Sequence, residues 1–467
     1  MSAPRLTWKP DLPPGETPLY ERLVSALEQD IAAGVLAEGV RLPPHRDLAY
    51  ALGLGVGTVT KAYAEAERRG LITAHVGRGS FVAGAETRGA FALSTAPEHG
   101  ALDLARNIPP VGPARRRFAD AVARLRRQPE LVDVLTYALP DGLERCRRAA
   151  ALWLRERHGV ESVAAEDLVI TLGAQQAIAL ALGTTCRPGD VILCEAATFH
   201  GMKAQAKHSG FNLRGVAMDA DGLLPDALDR AAAATGARVL YTIPTLQNPT
   251  TRTMSAARRR DIVEVARKRR LVIVEDDVYA AYGRSDDLVA LRDLAPDITF
   301  HISSVSKTLT PGLRVGFLAP PDAARRNAVL RAVRAHCYAA PSLPALLVAQ
   351  WIEDGAAHEI ADEVLDEVRA RTALARAILA PDAPPSPACV HMWLPMPELE
   401  AERVAGRALR AGVEVTPPSA AIVDANLESG LRLCIGAPPD LETLERALRI
   451  VAAALSSEDE APARAVV

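Results

Sequence analysis

The chain has 467 residues, of which 49% are hydrophobic and 24% charged, and its formal net charge at pH 7 is -3. That length exceeds one ordinary core and implies two to three domains, while the near-balanced charge gives no global case for a nucleic-acid partner. No apolar run reaches the roughly 18 residues that a membrane helix needs, and the first ten residues hold no signal-peptide core, so a cytoplasmic protein with no membrane partner is expected.

Pro18-Leu19-Tyr20 opens a predicted helix whose apolar positions Leu23, Leu27 and Ile31 recur at helical spacing, and Gly34 ends it. A second helix is predicted from Arg41 through Ala49 and a third from Val56 to Gly70, joined by the turn Gly53-Leu54-Gly55. Two short helices so joined form a helix-turn-helix, and the second of them is expected to enter the major groove by its N-terminal end. The segments 71–74 and 80–82 flank Val76-Gly77-Arg78-Gly79 as a two-stranded wing with a glycine tip. Residues 1–84 hold nine Lys/Arg against nine Asp/Glu, but within 41–80 the ratio is six to three, so positive charge gathers on the helix-turn-helix and wing. Residues 1–83 are therefore read as a winged helix-turn-helix DNA-binding domain, and 84–104, small and polar without periodicity, as a linker.

From 105 to 455 strand-length apolar runs at 168–172, 191–194, 239–243, 271–274, 298–303 and 315–318 alternate with Ala/Arg/Leu-rich helical patterns. Such alternation implies an α/β fold with a mostly parallel sheet covered on both faces, placed here at about 130–335. A smaller α+β domain is expected at about 340–455 plus the start of the region, with a long helix at 359–379 and strands at 390–394 and 431–435. The tail 456–467 is acidic and read as disordered. The six cysteines are scattered, with no C-x-x-C pair and no histidine at ligand spacing, so reduced thiols and no metal site are expected.

Lys307, in Ser304-Val305-Ser306-Lys307, stands at a strand-to-loop junction and is followed by Arg314, which suits a Schiff-base site for a phosphorylated aldehyde. Gly173-Ala174-Gln175 turns a strand into a helix whose free N–H groups suit a phosphate. Asn248 and the run Glu275-Asp276-Asp277-Val278-Tyr279 follow further strands, at the mouth where open α/β sheets bind ligands.

The N-terminal pattern resembles the winged helix-turn-helix of the GntR regulators. That resemblance implies that Arg46, Thr58, Thr60 and Lys61 meet phosphates or base edges and that Gly77 and Arg78 approach the minor groove; Val56 and Gly57 depart from it, standing where many members carry basic or polar residues. Residues 105–455 resemble the aminotransferases of pyridoxal phosphate fold type I. By that resemblance pyridoxal 5'-phosphate is the cofactor, Lys307 its aldimine lysine, Asp276 the pyridinium partner, and Tyr279 and Asn248 the phenolate ligands. Gly173, Ala174, Gln175, Ser304 and Arg314 would hold the phosphate, Phe199 would stack on the ring, and Tyr137 would reach across a homodimer to the neighbouring phosphate. Arg432 would grip a substrate or effector carboxylate. Thr251 departs from the pattern, standing where many relatives carry glycine. The union of the two resembles the MocR regulators, which implies a double-stranded DNA operator and sensing of an amino-acid-like or amine effector through aldimine exchange at Lys307. A working aminotransferase with an accessory DNA-binding head stays open as the alternative. A third reading, a scaffold that has lost its cofactor, is opposed by the intact Lys307, Asp276 and Arg314.

Overall fold

Leu23, Leu27 and Ile31 are buried along one side of helix Leu19–Ala32, as their spacing requires. The computed structural model describes residues 8–12, 18–37, 39–68, 71–75, 79–82, 101–283, 287–380 and 387–456, and the chain divides into two units, Met1–Ala96 and Pro97–Val467. In the first, helix His45–Leu52 closes on Gly53, left-handed at φ 64°, and helix Val56–Arg68 follows. Leu48, Val59, Tyr63, Ile72 and Val82 complete its core around Leu23 and Leu27. Tyr63 carries its hydroxyl into that core by donating to the Pro43 carbonyl at 2.9 Å, so that hydroxyl is not left open. Truncating Leu23 or Leu27 to alanine would cost about 2–5 kcal/mol, a large part of what a unit this small can hold. Strands Ile72–His75 and Gly79–Val82 pair antiparallel as the wing, while its tip, with the expected contacts Gly77 and Arg78, lies outside the described residues.

The second unit is built on a seven-stranded sheet. Its strand order is Val169–Thr171, Gly316–Ala319, Thr299–Ser304, Val272–Asp276, Val239–Thr242, Val191–Glu195 and Asn212–Val216. Six strands run one way and Gly316–Ala319 runs against them, so the sheet is mostly parallel. Its central strands are buried throughout, as both-face cover by helices demands. Because side chains alternate, Asp276 shares one face with Tyr241 and Ile302, while Glu275 lies opposite with its register neighbours Thr242 and His301. Glu275 is fixed from behind. Its carboxylate accepts from the backbone N–H groups of Leu291 at 2.7 Å and Arg292 at 2.9 Å, and His301 Nδ1 stands 3.0 Å away.

Beyond Ala340 the chain forms the smaller α+β part. Strand Met392–Pro395 pairs antiparallel with Gly430–Leu433, and helices Ala356–Leu379, Glu398–Arg410 and Leu441–Ser456 surround them. Strand Val413–Val415 pairs in parallel with Leu102–Leu104. The stretch expected as linker to residue 104 thus ends in a strand, because Leu104 finds a buried place among Val413, Val415 and Leu433. Of that stretch, residues 84–100 lie outside the described residues, as do 457–467 of the expected tail; Ser456 closes a helix instead.

Candidate functional site

On the helix-turn-helix the polar side chains stay in solvent. Arg46, Thr60 and Lys61 are exposed and Thr58 is half-buried, while Val59 and Tyr63, on the inner side of the same helix, are buried. Two partners set the outer side chains. Lys61 Nζ lies 4.0 Å from the centre of the Tyr20 ring, a cation–π contact, and His45 Nδ1 lies 3.2 Å from Thr60 Oγ1. Tyr50, 92% exposed, adds an aromatic that sequence reasoning passed over. Exposed cations on a helix of this kind can neutralise phosphates at small desolvation cost.

In the second unit Asp276 and Arg432 are buried and Lys307 is half-buried, while Arg314 stays exposed. Asp276 ends a central strand, and its Oδ2 accepts from the Tyr241 hydroxyl at 2.6 Å, while Oδ1 is buried without a partner. Burial pushes its carboxyl up to about 6 against the hydrogen bond from Tyr241. Lys307 follows the neighbouring strand; its Nζ donates to the Asn107 carbonyl and lies 6.0 Å from the Tyr279 ring centre. Burial pulls its ammonium down to about 8, reinforced by the nearby Arg432 cation. An amine so tuned is half neutral near pH 8 and able to act as a nucleophile.

Tyr279 is buried, and its hydroxyl accepts from Asn107 Nδ2 at 2.8 Å and Asn248 Nδ2 at 3.4 Å. Asn248 precedes a cis peptide bond to Pro249 and accepts from Arg432 Nη1 at 2.9 Å. Arg432 is 2% exposed yet has only neutral acceptors: Thr416 Oγ1 at 2.9 Å, the Ala105 carbonyl at 3.3 Å and Asn248. Among the described residues no carboxylate pairs with it. Lys307, Asp276, Tyr279, Asn248 and Arg432 therefore stand in one neighbourhood, linked by hydrogen bonds or by direct charge interaction.

Comparison with known families decides what this arrangement belongs to. The aminotransferase class I and II family matches residues 100–451, and the gntR family of bacterial regulatory proteins matches residues 19–82. The chain belongs to the aminotransferase class I and II family. Its first unit is a GntR-type winged helix-turn-helix, so the whole is a DNA-binding transcriptional regulator with an aminotransferase-like domain. It is 29% identical to the HTH-type transcriptional regulator YdeF of Bacillus subtilis over 96% of both chains. It is also 29% identical to the vitamin B6 salvage pathway transcriptional repressor PtsJ of Salmonella typhimurium, over 80% of this chain and 84% of that one. Among solved structures, an archaeal alanine:glyoxylate aminotransferase superposes with a TM-score of 0.69 at 25% identity, covering 76% of this chain and 90% of its own. The α-aminoadipate aminotransferase LysN of Thermus thermophilus, complexed with N-(5'-phosphopyridoxyl)-L-leucine, gives 0.67 at 28% identity over 76% and 92%.

In the aminotransferase-like domain the remaining candidates frame the start of helix Gly173–Gly183. Gly173 is left-handed at φ 74°, and a Cβ there would come within 2.7 Å of the Arg314 guanidinium, so only glycine lets that arginine approach. Arg314 donates to the Leu172 carbonyl at 3.2 Å. Ser304 Oγ donates to Ser306 Oγ at 2.7 Å and accepts from the Ser306 N–H at 3.0 Å. Ala174 is half-buried, and Gln175 ties the helix start to the Gly201 carbonyl at 3.0 Å. Phe199 is half-buried beside His200, ring centres 4.7 Å apart. Tyr137 stands apart from this group, 86% exposed with its ring 4.8 Å from that of Tyr338.

Sequence reasoning missed Asn107, Tyr241, His391 and Thr416. Each is joined to the site by folding rather than by motif. Tyr241 alone had a signal: strand alternation puts it beside Asp276 on the neighbouring strand.

Proposed function

We propose that this regulator holds pyridoxal 5'-phosphate at Lys307 and responds to an amino-acid-like or amine ligand whose amine displaces that of Lys307. The observation that carries the reading is the open Oδ1 of Asp276, a buried acceptor within electrostatic reach of the half-buried Lys307 amine. A buried oxygen left unpaired costs about 1–3 kcal/mol, a cost that a cationic ring nitrogen removes. Other residues fit the group as well. Arg314, Ser304 and the N–H groups beginning helix Gly173–Gly183 suit a phosphate. When bound, the cofactor supplies an aldehyde carbon and an electron-withdrawing ring.

The chain's own groups then have separate tasks. Asp276 holds a proton on the ring nitrogen, Tyr279 and Asn248 hydrogen-bond the ring oxygen, and Lys307 provides the exchangeable amine. Arg432, with no carboxylate partner among the described residues, binds the carboxylate of the incoming ligand. The ligand changes DNA binding only if it favours one arrangement of the protein over another. We further propose a homodimer in which Tyr137 completes the neighbour's phosphate site; support comes from its exposure between Leu135 and Leu139, themselves 83% and 65% exposed.

Absorbance spectra of the parent and Lys307→Ala, each incubated with the cofactor and then with a panel of amino acids, test the reading. A visible band in the parent alone, shifted by one amino acid that also alters operator affinity, is the expected result. Identical spectra would overturn the site. The second reading, an active aminotransferase, is favoured by the ready Arg432. Rapid multiple turnover between an amino acid and a keto acid, with no operator binding, would decide for it.

A further inference from the structure

His391 precedes strand Met392–Pro395 and is buried, and nothing in the proposed chemistry uses it. Its ring packs edge-on to Tyr279 with centres 5.4 Å apart at 67°. Its two nitrogens face different elements. Nε2 lies 3.4 Å from the Gln247 carbonyl, in the loop that carries Asn248. Nδ1 lies 3.5 Å from Asn107 Nδ2 and 3.3 Å from Cys389 Sγ.

These neighbours determine where the protons sit. A carbonyl can only accept, so Nε2 carries the hydrogen and donates to Gln247. Burial, then the Arg432 cation, pulls the imidazole down to about 3, so the ring is neutral and Nδ1 is left as an acceptor. Burial pushes the Cys389 thiol up to about 12, so it stays S–H, and it shares the single Nδ1 lone pair with the Asn107 amide. The Asn107 atom facing Nδ1 must then be the amide nitrogen rather than the oxygen. That same nitrogen is the one 2.8 Å from the Tyr279 hydroxyl. Tyr279 oxygen therefore receives one N–H from Asn107 and a second from Asn248 at 3.4 Å, which fills its acceptor sites. Its own proton has to point elsewhere. The reverse setting, with Asn107 oxygen toward Tyr279, would take that proton and would also set a bare Nε2 against the Gln247 carbonyl.

We propose that His391 is a positioning residue: by fixing the Asn107 amide it turns the Tyr279 hydroxyl proton into the pocket, toward the ring oxygen of the bound cofactor. This rests on the cofactor reading above. It explains why a neutral imidazole is kept in a pocket already holding Lys307 and Arg432, with Asp276, Tyr279, Cys389, Cys434 and His200 among the titratable groups around them. A donor to the ring oxygen stabilises its ionised form, so loss of that donor raises the pH at which the visible band titrates.

The test is the pH midpoint of that band in the full chain loaded with pyridoxal 5'-phosphate, for the parent, Tyr279→Phe, His391→Phe and His391→Gln. Tyr279→Phe sets the full upward shift, about one to two pH units for a hydrogen bond to a charged oxygen. His391→Phe keeps the packing and is expected to give at least half of that shift, with His391→Gln closer to the parent. A band present in both parent and His391→Phe with the same midpoint overturns the inference alone. Absence of any band in the parent overturns the cofactor reading and this inference with it. Imidazole 15N shifts of the unloaded parent guard against a His391→Phe chain that fails to fold: His391 must show a protonated Nε2 and a bare Nδ1, and the opposite tautomer overturns the proposal.

Discussion

The two units handle charge in opposite ways. In the helix-turn-helix, Arg46 and Lys61 remain in water, whereas in the aminotransferase-like domain Asp276 and Arg432 are 3% and 2% exposed. A solvated cation gains little from any one phosphate and loses that gain as salt rises, since screening acts over about 10 Å at 0.1 M. A buried charge has already lost its water, so each missing partner is felt in full and salt hardly reaches it. The first unit sums many small contacts and the second depends on a few large ones. Removing single side chains should therefore have unequal consequences in the two.

The sharpest separation is Lys307→Ala, which is expected to abolish the visible band entirely while leaving operator affinity of the cofactor-free protein unchanged in a fluorescence anisotropy titration. Asp276→Ala comes next: cofactor affinity should fall on the order of a hundredfold, as for a broken buried pair, and added salt should not alter the ratio. Arg46→Ala combined with Lys61→Ala is expected to weaken operator binding about ten- to a hundredfold and to lower the slope of log affinity against log salt by about two, with the band intact. If both properties vanish together, the units are not separable in this way. The pH dependence is smaller. Lys307 is pulled down to about 8, so its neutral amine is lost as pH falls through that value, and the rate at which the band forms should drop about tenfold per pH unit below it. Tyr20→Leu should have the least effect. Loss of a cation–π contact of about 0.5–1 kcal/mol leaves Lys61 charged but less well placed, so operator affinity should fall about threefold.

Much of this molecule could be read from its sequence, for physical reasons. The winged helix-turn-helix is written in local spacing, with Leu23, Leu27 and Ile31 on one helix side and Gly53 at the left-handed turn. The central strands are continuous apolar runs because both their faces are covered. Strand Asn212–Val216 escaped notice since it lies at the edge of the sheet, where Asn212 and Arg214 are exposed and break the run. Leu102–Leu104 reads as linker in the sequence because its partner, Val413–Val415, is far along the chain. The same distance hid Asn107, whose side chain meets Tyr279 and His391 across 172 and 284 residues of sequence. Strand ends announce Asp276 and Lys307; a side chain delivered from elsewhere leaves no local mark.

Glu275 anchors the strand that carries Asp276. Two backbone N–H groups at the start of helix Leu291–Leu294 and the imidazole of His301 hold its carboxylate, which anchors the end of the strand. Asp276, the very next residue, shares that anchorage. Arg432, Thr416 and His391, by contrast, arrive from the smaller part of the fold, so the pocket joins side chains of two parts and its shape depends on how those parts pack.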